Sequence, residues 1–364
     1  MTMPDLFGRA LSKSSLQAYS SDMAQFASVR RATLREGFAE GVDVIDFRTG
    51  SGFEFSVLPG RALDIGAAYY NGVPLYWRAS PGQVHAAYFE PEDMGWMRGY
   101  AGGLLTTGGL SYMGSPSQDA GEDLGIHGRI SYAPASNVWA DAGWDGDRYR
   151  LWARGKVTET AALGTNLIMT REISTELGAS YLKISDTVEN RTYSTVPHMM
   201  LYHFNVGFPI LSEESRLLLN VVETIGRDEV STLALDQWER FEPPAIGRDH
   251  QLFYHRPRPD GSGMAHVALV GCAADEPVAV YLSYSHETLP WFANWKCMQS
   301  GNYVTGLEPA NAWVEGRAVE REAGRLRFLE PWESVAYTVE FGVLAGEAAI
   351  DDFAARHGLP DYRS

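Results

Sequence analysis

From about residue 30 onward the chain is cut into short β-branched and aromatic runs. Gly, Asp and Asn break these runs at intervals of about eight to twelve residues. VDVIDFRTG, FEFSVLPG, YRLWARGKV, YLKISDTVEN, PVAVYLSYS and SVAYTVEFG are the clearest of them. Segments this short and this often punctuated predict many antiparallel strands joined by turns. In YLKISDTVEN, Leu182, Ile184 and Val188 fall on one parity, and Lys183, Ser185, Thr187 and Glu189 on the other. That alternation marks a strand with one buried face and one wet face. Helical spacing is scarce and clearest in the C-terminal LAGEAAIDDFAARHG, where Ala349, Ile350, Phe353 and Ala354 sit at helical spacing and Gly358 follows as a stop. No fixed-period repeat points to a propeller or solenoid, and no low-complexity linker divides the chain. The expectation is all-β: one large antiparallel β-sandwich over residues 31–364 with a short C-terminal helix. An irregular or partly helical N-terminal arm over 1–30 would precede it. With 364 residues, 45% of them hydrophobic, the chain can bury a large core without covalent staples.

Charge narrows the partners. Forty-six acidic residues against 30 Lys plus Arg give a formal net charge of −16, a field that repels phosphate backbones and anionic membrane surfaces. Neither nucleic acid nor a membrane is expected as a partner, although a local arginine pocket could still hold an anionic small molecule. Two cysteines, Cys272 and Cys297, allow one disulfide by arithmetic but form no CxxC zinc motif. The N-terminal MTMPDLFGRALSKSS has no long apolar stretch, and the longest apolar run, VALVGCAA from Val267, is too short to span a bilayer. The expected location is the cytoplasm.

Several enzyme signatures fail on inspection. GYAGGLLTTGGLSYMG lacks both GxGxxG and a following GK[ST], and it does not open onto a helical pattern. HETLP at His286 is not HExxH, and GLSYMG has the wrong spacing for a nucleophile elbow.

What remains is a set of polar residues in unusually apolar surroundings. HMMLYHFNVGFPIL, residues 198–211, reads as a buried strand carrying two histidines and an asparagine. By parity His203 shares a face with Met199, Leu201 and Asn205, whereas His198 shares one with Met200, Tyr202 and Phe204. A regular strand cannot point both histidines into one site. Asn205 beside His203 makes a polar patch that favours His203 and is expected at the substrate, while His198 is expected to be structural. For His203 the alternative is a core histidine satisfied by backbone. In LGIHGRISYAP, His127 is flanked by Gly125 and Gly128, which leave room for a ligand, and it shares parity with Arg129. In YVTGLEPANAW, Glu308 lies between Leu307 and Pro309; desolvation there would raise its pKa and its basicity.

The order HG, a strand carrying LYHFN, then GLEP near the C-terminus resembles the aldose 1-epimerase, or galactose mutarotase-like, superfamily, from about residue 30 to 345. MRGYAGGLLTTGGLSYMG resembles that superfamily's glycine-rich sugar-site segment, and LPGRALDIGAAYYNGVPLYW its early hairpin. LPWFANWKCMQSGNYVTGLEPAN is the stretch most specific to a poorly characterised epimerase-like branch. The resemblance implies a galactose mutarotase-like supersandwich that interconverts the anomers of an aldose or modified sugar by acid–base catalysis. It implies Glu308 as general base, His203 as general acid and His127 as a second histidine on the ring oxygen or the open-chain carbonyl. Arg98, with Arg61 and Arg129, would bind hydroxyls or an anionic substituent. Asp228 and Asp249 lie where the superfamily uses an aspartate, but no motif fixes either. The expected partner is a small sugar, no cofactor is expected, and a homodimer is left open. Two histidines and a glutamate are also a facial metal-ligand set. A metal-dependent isomerase or lyase acting on a keto or acidic sugar is therefore the alternative, alongside a non-catalytic carbohydrate-binding protein.

Overall fold

The computed structural model describes residues 5–6, 8–273 and 276–363. Every quoted run forms a strand, and the named strands pair antiparallel throughout the described residues. They assemble into two large sheets. The twelve-stranded sheet runs from Val221–Gly226 through Gln251–Pro257, Trp291–Gln299, Asn302–Ala310, Val196–Gly207 and Leu105–Leu110. It continues through Asp64–Tyr70, Phe53–Leu58 and Asp43–Arg48 to Ser28–Thr33, and two short strands pair off this path. The eight-stranded sheet runs from Ser136–Asp145 through Arg148–Thr160, Asn166–Glu176, Tyr181–Asn190 and Ser334–Ala345 to Glu276–Ser285, Met264–Ala273 and Arg216–Leu219.

Period-2 burial places the core between these sheets. Leu182, Ile184 and Val188 are fully buried there, facing Met200, Tyr202, Phe204 and Val206 of the histidine-bearing strand. The opposite parity of that strand, Met199 and Leu201, joins a separate apolar cluster with Leu252, Tyr254, Ala293 and Ala310 on the outer face of the twelve-stranded sheet. The C-terminal helix spans Glu347–His357. It ends at Gly358, whose left-handed backbone (φ 63°) stops it, and buries Ile350, Phe353 and Ala354 on the outer face of the eight-stranded sheet.

Of the arm expected over 1–30, residues 1–4 and 7 lie outside the described residues. A helix, Lys13–Tyr19, is capped by the Ser12 side chain, and Leu6, Leu16 and Met23 are buried in the main core. Cys272 and Cys297 are free thiols. No helix among the described residues is long and apolar enough to cross a membrane.

One polar network crosses the core. Arg171, fully buried, donates from Nε and Nη2 to Asp186 at 2.9 and 2.7 Å, and from Nη1 to Asp64 at 3.0 Å and to the Thr107 hydroxyl at 2.9 Å. Asp186 also accepts from the Tyr202 hydroxyl at 2.6 Å, and Asp64 from the Thr107 backbone N–H at 3.0 Å. Asp186 lies on the apolar parity of its strand because the guanidinium of the neighbouring strand needs it there. Arg171→Met would leave two carboxylates buried without their cation. Breaking a buried pair in this way should cost about 3–5 kcal/mol, read as a lowered denaturation midpoint, whereas Arg148→Met at an exposed pair should change it little.

Candidate active site

Four strands of the twelve-stranded sheet and the loops beside them build a cavity of 260 Å3 on the sheet's outer face. That volume is on the order of nine liquid-water volumes, enough for one small ring. Parity carries His203 to this face, and the register Leu201↔Ala310 and Phe204↔Leu307 sets Glu308 opposite it on the adjacent strand. His203 Nε2 lies 3.2 Å from Glu308 Oε1. Both side chains are buried, and among the described residues no hydrogen bond from the chain reaches either Glu308 Oε1 or His203 Nδ1. Gly306, two residues before Glu308, makes room for this pair. A Cβ there would stand 2.2 Å from Glu308 Oε1 and 3.0 Å from the His203 ring.

His127 arrives on a loop. The expected strand around it is a turn, with His127 itself in the left-handed region (φ 58°), its N–H bonded to the Gly114 carbonyl at 2.8 Å. Gly128 closes that turn against the carbonyls of Gly109 and Tyr112, where a Cβ would meet oxygen at 2.2 Å. The His127 ring lies edge-on to His203 with centroids 5.9 Å apart, and its Nδ1 is buried without a partner. Trp96, Tyr100 and Trp295 complete an aromatic wall around both histidines. Met94, Met97, His250 and Arg227 also line the cavity.

The remaining expected residues do not line it. Arg98 points to solvent and pairs with Glu90, while its neighbours Met97 and Tyr100 face the cavity. The reason is geometric. The segment Gly95–Gly99 is a 3₁₀ turn, where residues three apart share a face. Arg61 is buried under Tyr132, its guanidinium 3.9 Å from that ring and bonded to the carbonyls of Ser131, Val84 and Gly99. Arg129 is exposed beyond the His127 turn, which ends strand parity before reaching it. Asn205 is buried one step behind the site, accepting the Tyr100 hydroxyl at 2.6 Å and donating to the Gly103 carbonyl at 3.1 Å, so that it orients Tyr100. Asp228 caps the helix Glu229–Leu233, and Asp249 is exposed outside the cavity lining. His198 faces the core, bonded to the Leu110 carbonyl at 3.0 Å and the Tyr337 hydroxyl at 2.7 Å.

Arg227, Trp96, Tyr100, Trp295 and His250 were not singled out from sequence. Trp295 had a usable signal, because it stands opposite Gly306 in the most specific stretch. Arg227 offered none, since it lies in a loop where parity gives no direction; it is held by Glu315 at 3.0 Å and by Ser115 at 3.2 Å.

Burial sets the protonation states. Desolvation pushes the Glu308 carboxyl up to about 8. It lowers His203 to about 3, helped by His127, and His127 to about 4, helped by Arg227. The neutral acid of Glu308 and the free imidazoles are thus favoured near pH 7. The linkage has a definite sign. A carboxyl raised on folding stabilises below its unfolded value and loses that contribution as pH rises through about 8. Glu308→Gln carries no such group, so its melting temperature should overtake that of the native chain progressively from about pH 4.5 to 8. Parallel melting curves across that range would show that Glu308 is not desolvated.

The fold recurs in solved structures. A Klebsiella pneumoniae protein named "putative aldose 1-epimerase" matches 95% of this chain and 90% of its own, with TM-score 0.86 and 22% identity. A galactose mutarotase-like protein from Clostridium acetobutylicum matches 88% of this chain and 99% of its own, with TM-score 0.61 and 14% identity. The galactose 1-epimerase from Lactobacillus acidophilus matches 88% of this chain and all of its own (100%), with TM-score 0.57 and 11% identity. At these identities the likeness establishes the galactose mutarotase-like fold. No curated protein matches the chain in sequence. Residues 39–343 match the family described as a domain of unknown function (DUF4432), and the chain belongs to that family.

Proposed function

We propose that this protein is an aldose 1-epimerase-like isomerase that interconverts the anomers of a sugar by acid–base catalysis. The observation that carries the reading is the buried Glu308–His203 pair, 3.2 Å apart, in a cavity walled by aromatic rings. Sugar rings stack on such walls, and the unpartnered Nδ1 atoms of His127 and His203 offer hydrogen bonds to hydroxyls. Opening a hemiacetal removes the proton of the anomeric hydroxyl, breaks the bond between the anomeric carbon and the ring oxygen, and delivers a proton to that oxygen. Rotation about the bond to the next carbon and closure by the reverse steps gives the other anomer.

The pair carries one titratable proton, on the carboxyl or on the imidazole. One member accepts the anomeric proton while the other donates to the ring oxygen, and closure exchanges the roles. With the proton on His203, Glu308 is the base, as the resemblance implies. Burial favours the proton on Glu308, which makes the reverse assignment accessible as well. No cofactor enters this scheme. The same residues could in principle be metal ligands, but among the described residues the ligand atoms of His127, His203 and Glu308 do not form a converging set, which favours the acid–base reading. Arg227 is the cation on the cavity lining and is paired with Glu315. A neutral aldose therefore fits better than a phosphorylated or acidic one.

Anomer exchange measured by NMR on a panel of neutral and acidic sugars tests this. The native protein should accelerate exchange of a neutral aldose, and Glu308→Gln should lose about 10²–10⁴-fold of that acceleration. Acceleration that survives the substitution would remove Glu308 from the chemistry, and none with any sugar would leave a binding protein. The pH profile separates two versions of the mechanism. A one-proton pair loses its acid as Glu308 ionises, so kcat/KM should fall above about pH 8. A site that needs only the ionised carboxylate would instead gain rate through that pH.

A further inference from the structure

The geometry points to a second site, unconnected with the sugar cavity: a divalent transition-metal site for zinc, formed by Asp260, His266 and His357 where the C-terminal helix docks on the eight-stranded sheet. One ligand atom from each residue lies within 4.8 Å of the other two. Ligand atoms sharing one zinc ion stand roughly 3–4 Å apart, as bond lengths of about 2.0–2.2 Å require. Closing the set requires side-chain rotation, above all of the His357 ring, which stacks on His266 with its plane at 29° to it.

Hydrogen bonds orient two of the three residues, and the third stacks on one of them. Asp260 Oδ1 is consumed by three donors, the Ser262 N–H at 2.8 Å, the Ser262 hydroxyl at 2.7 Å and the Met264 N–H at 3.0 Å. That leaves Oδ2 turned to His266 Nε2 at 3.1 Å. His266 lies on the outer face of Met264–Ala273, directly across from Ser283, whose hydroxyl meets its Nδ1 at 2.8 Å. A hydrogen bond at one ring nitrogen is how metal-bound imidazoles are oriented, with the other nitrogen left to the ion. His357, on the last turn of the helix, stacks on His266 with ring centroids 3.6 Å apart. Neither of its nitrogens has a hydrogen-bond partner among the described residues. Two imidazoles and one carboxylate are a borderline-soft N/N/O set that suits zinc over magnesium or calcium. The strongly acidic chain adds long-range attraction for a cation. Bound there, zinc would clamp the helix to the strand pair beneath it.

The test uses the untagged full chain, stripped with chelator, exposed to zinc, desalted and assayed for metal content, with cobalt as a visible-absorption probe. One zinc per chain is expected in the native protein and in Glu308→Gln, and none in His357→Ala. Ser283→Ala should bind about 10–100-fold more weakly, as loss of an orienting partner does. Zinc should raise the melting temperature of the native chain but not of His357→Ala, whose melting temperature without zinc checks that the half-exposed position tolerates the change. Absence of stoichiometric zinc from the native protein overturns the proposal. So does zinc retained by His357→Ala, or zinc lost from Glu308→Gln, which would place the ion in the sugar cavity.

Discussion

The Arg171 network sets the register on which the site depends. Side chains along a strand alternate faces, so a slip of one residue would exchange every inward side chain for an outward one. Tyr202 is fixed inward by its hydroxyl on Asp186, and its cross-strand partner Thr107 is fixed by Asp64. Arg171 binds both carboxylates, and through Asp64 and the Thr107 hydroxyl it ties the eight-stranded sheet to two adjacent strands of the other. With Tyr202 held inward, His203 must point outward. A hydrophobic core alone would specify this less sharply, since Met199, Met200 and Leu201 are apolar on both faces of the same strand. Buried ion pairs contribute little net stability over apolar replacements, but the contacts of this network can form in only one of the neighbouring registers.

Given that register, the adjacent strand brings Glu308 opposite His203 by ladder geometry, and Gly306 leaves the carboxyl room to lie beside the imidazole. The loops then finish the site. His127 and Trp96 need backbone shapes that strands do not offer: a left-handed residue in one case and a 3₁₀ turn in the other. This division has a thermodynamic logic. Groups that exchange a proton must be held within a few tenths of an ångström, which sheet hydrogen bonding provides, whereas aromatic walls tolerate looser placement.

The same division explains what was legible in the sequence. The sandwich, the C-terminal helix and the opposed faces of His198 and His203 follow from periodicity, and periodicity is enforced by the backbone itself. Glu308 stands out in sequence because an acid between Leu307 and Pro309 is open to desolvation, and the fold does bury it in the cavity beside His203. The arginines were misplaced because their segments leave strand geometry. Arg98 sits on the 3₁₀ segment Gly95–Gly99, where Trp96 and Met97 face the cavity instead, and Arg129 follows a residue with positive φ. Arg61 has a different cause: three loop carbonyls need donors, and a buried guanidinium can satisfy them all. Asn205 had the right parity but is covered by Tyr100, a contact 105 residues distant along the chain. No local pattern encodes such a contact.

The apolar character of the cavity is itself a constraint on the chemistry. Burial raises Glu308 and lowers His203, so each displacement disfavours a charge on its own group. A proton passed from the acid through the sugar to the base leaves the total charge of the pair unchanged at zero. In the proposed reaction a neutral hemiacetal opens and closes between these residues without the cavity ever having to solvate a net charge, which an enclosure of tryptophan, tyrosine and methionine would do poorly. An ionised substrate or a fixed cation would upset that balance. The pairing of Arg227 with Glu315 keeps the single guanidinium on the lining from doing so. On the proposed reading, the oddity of histidine in an apolar strand resolves into one requirement: the acid and the base must be buried together so that one proton serves both.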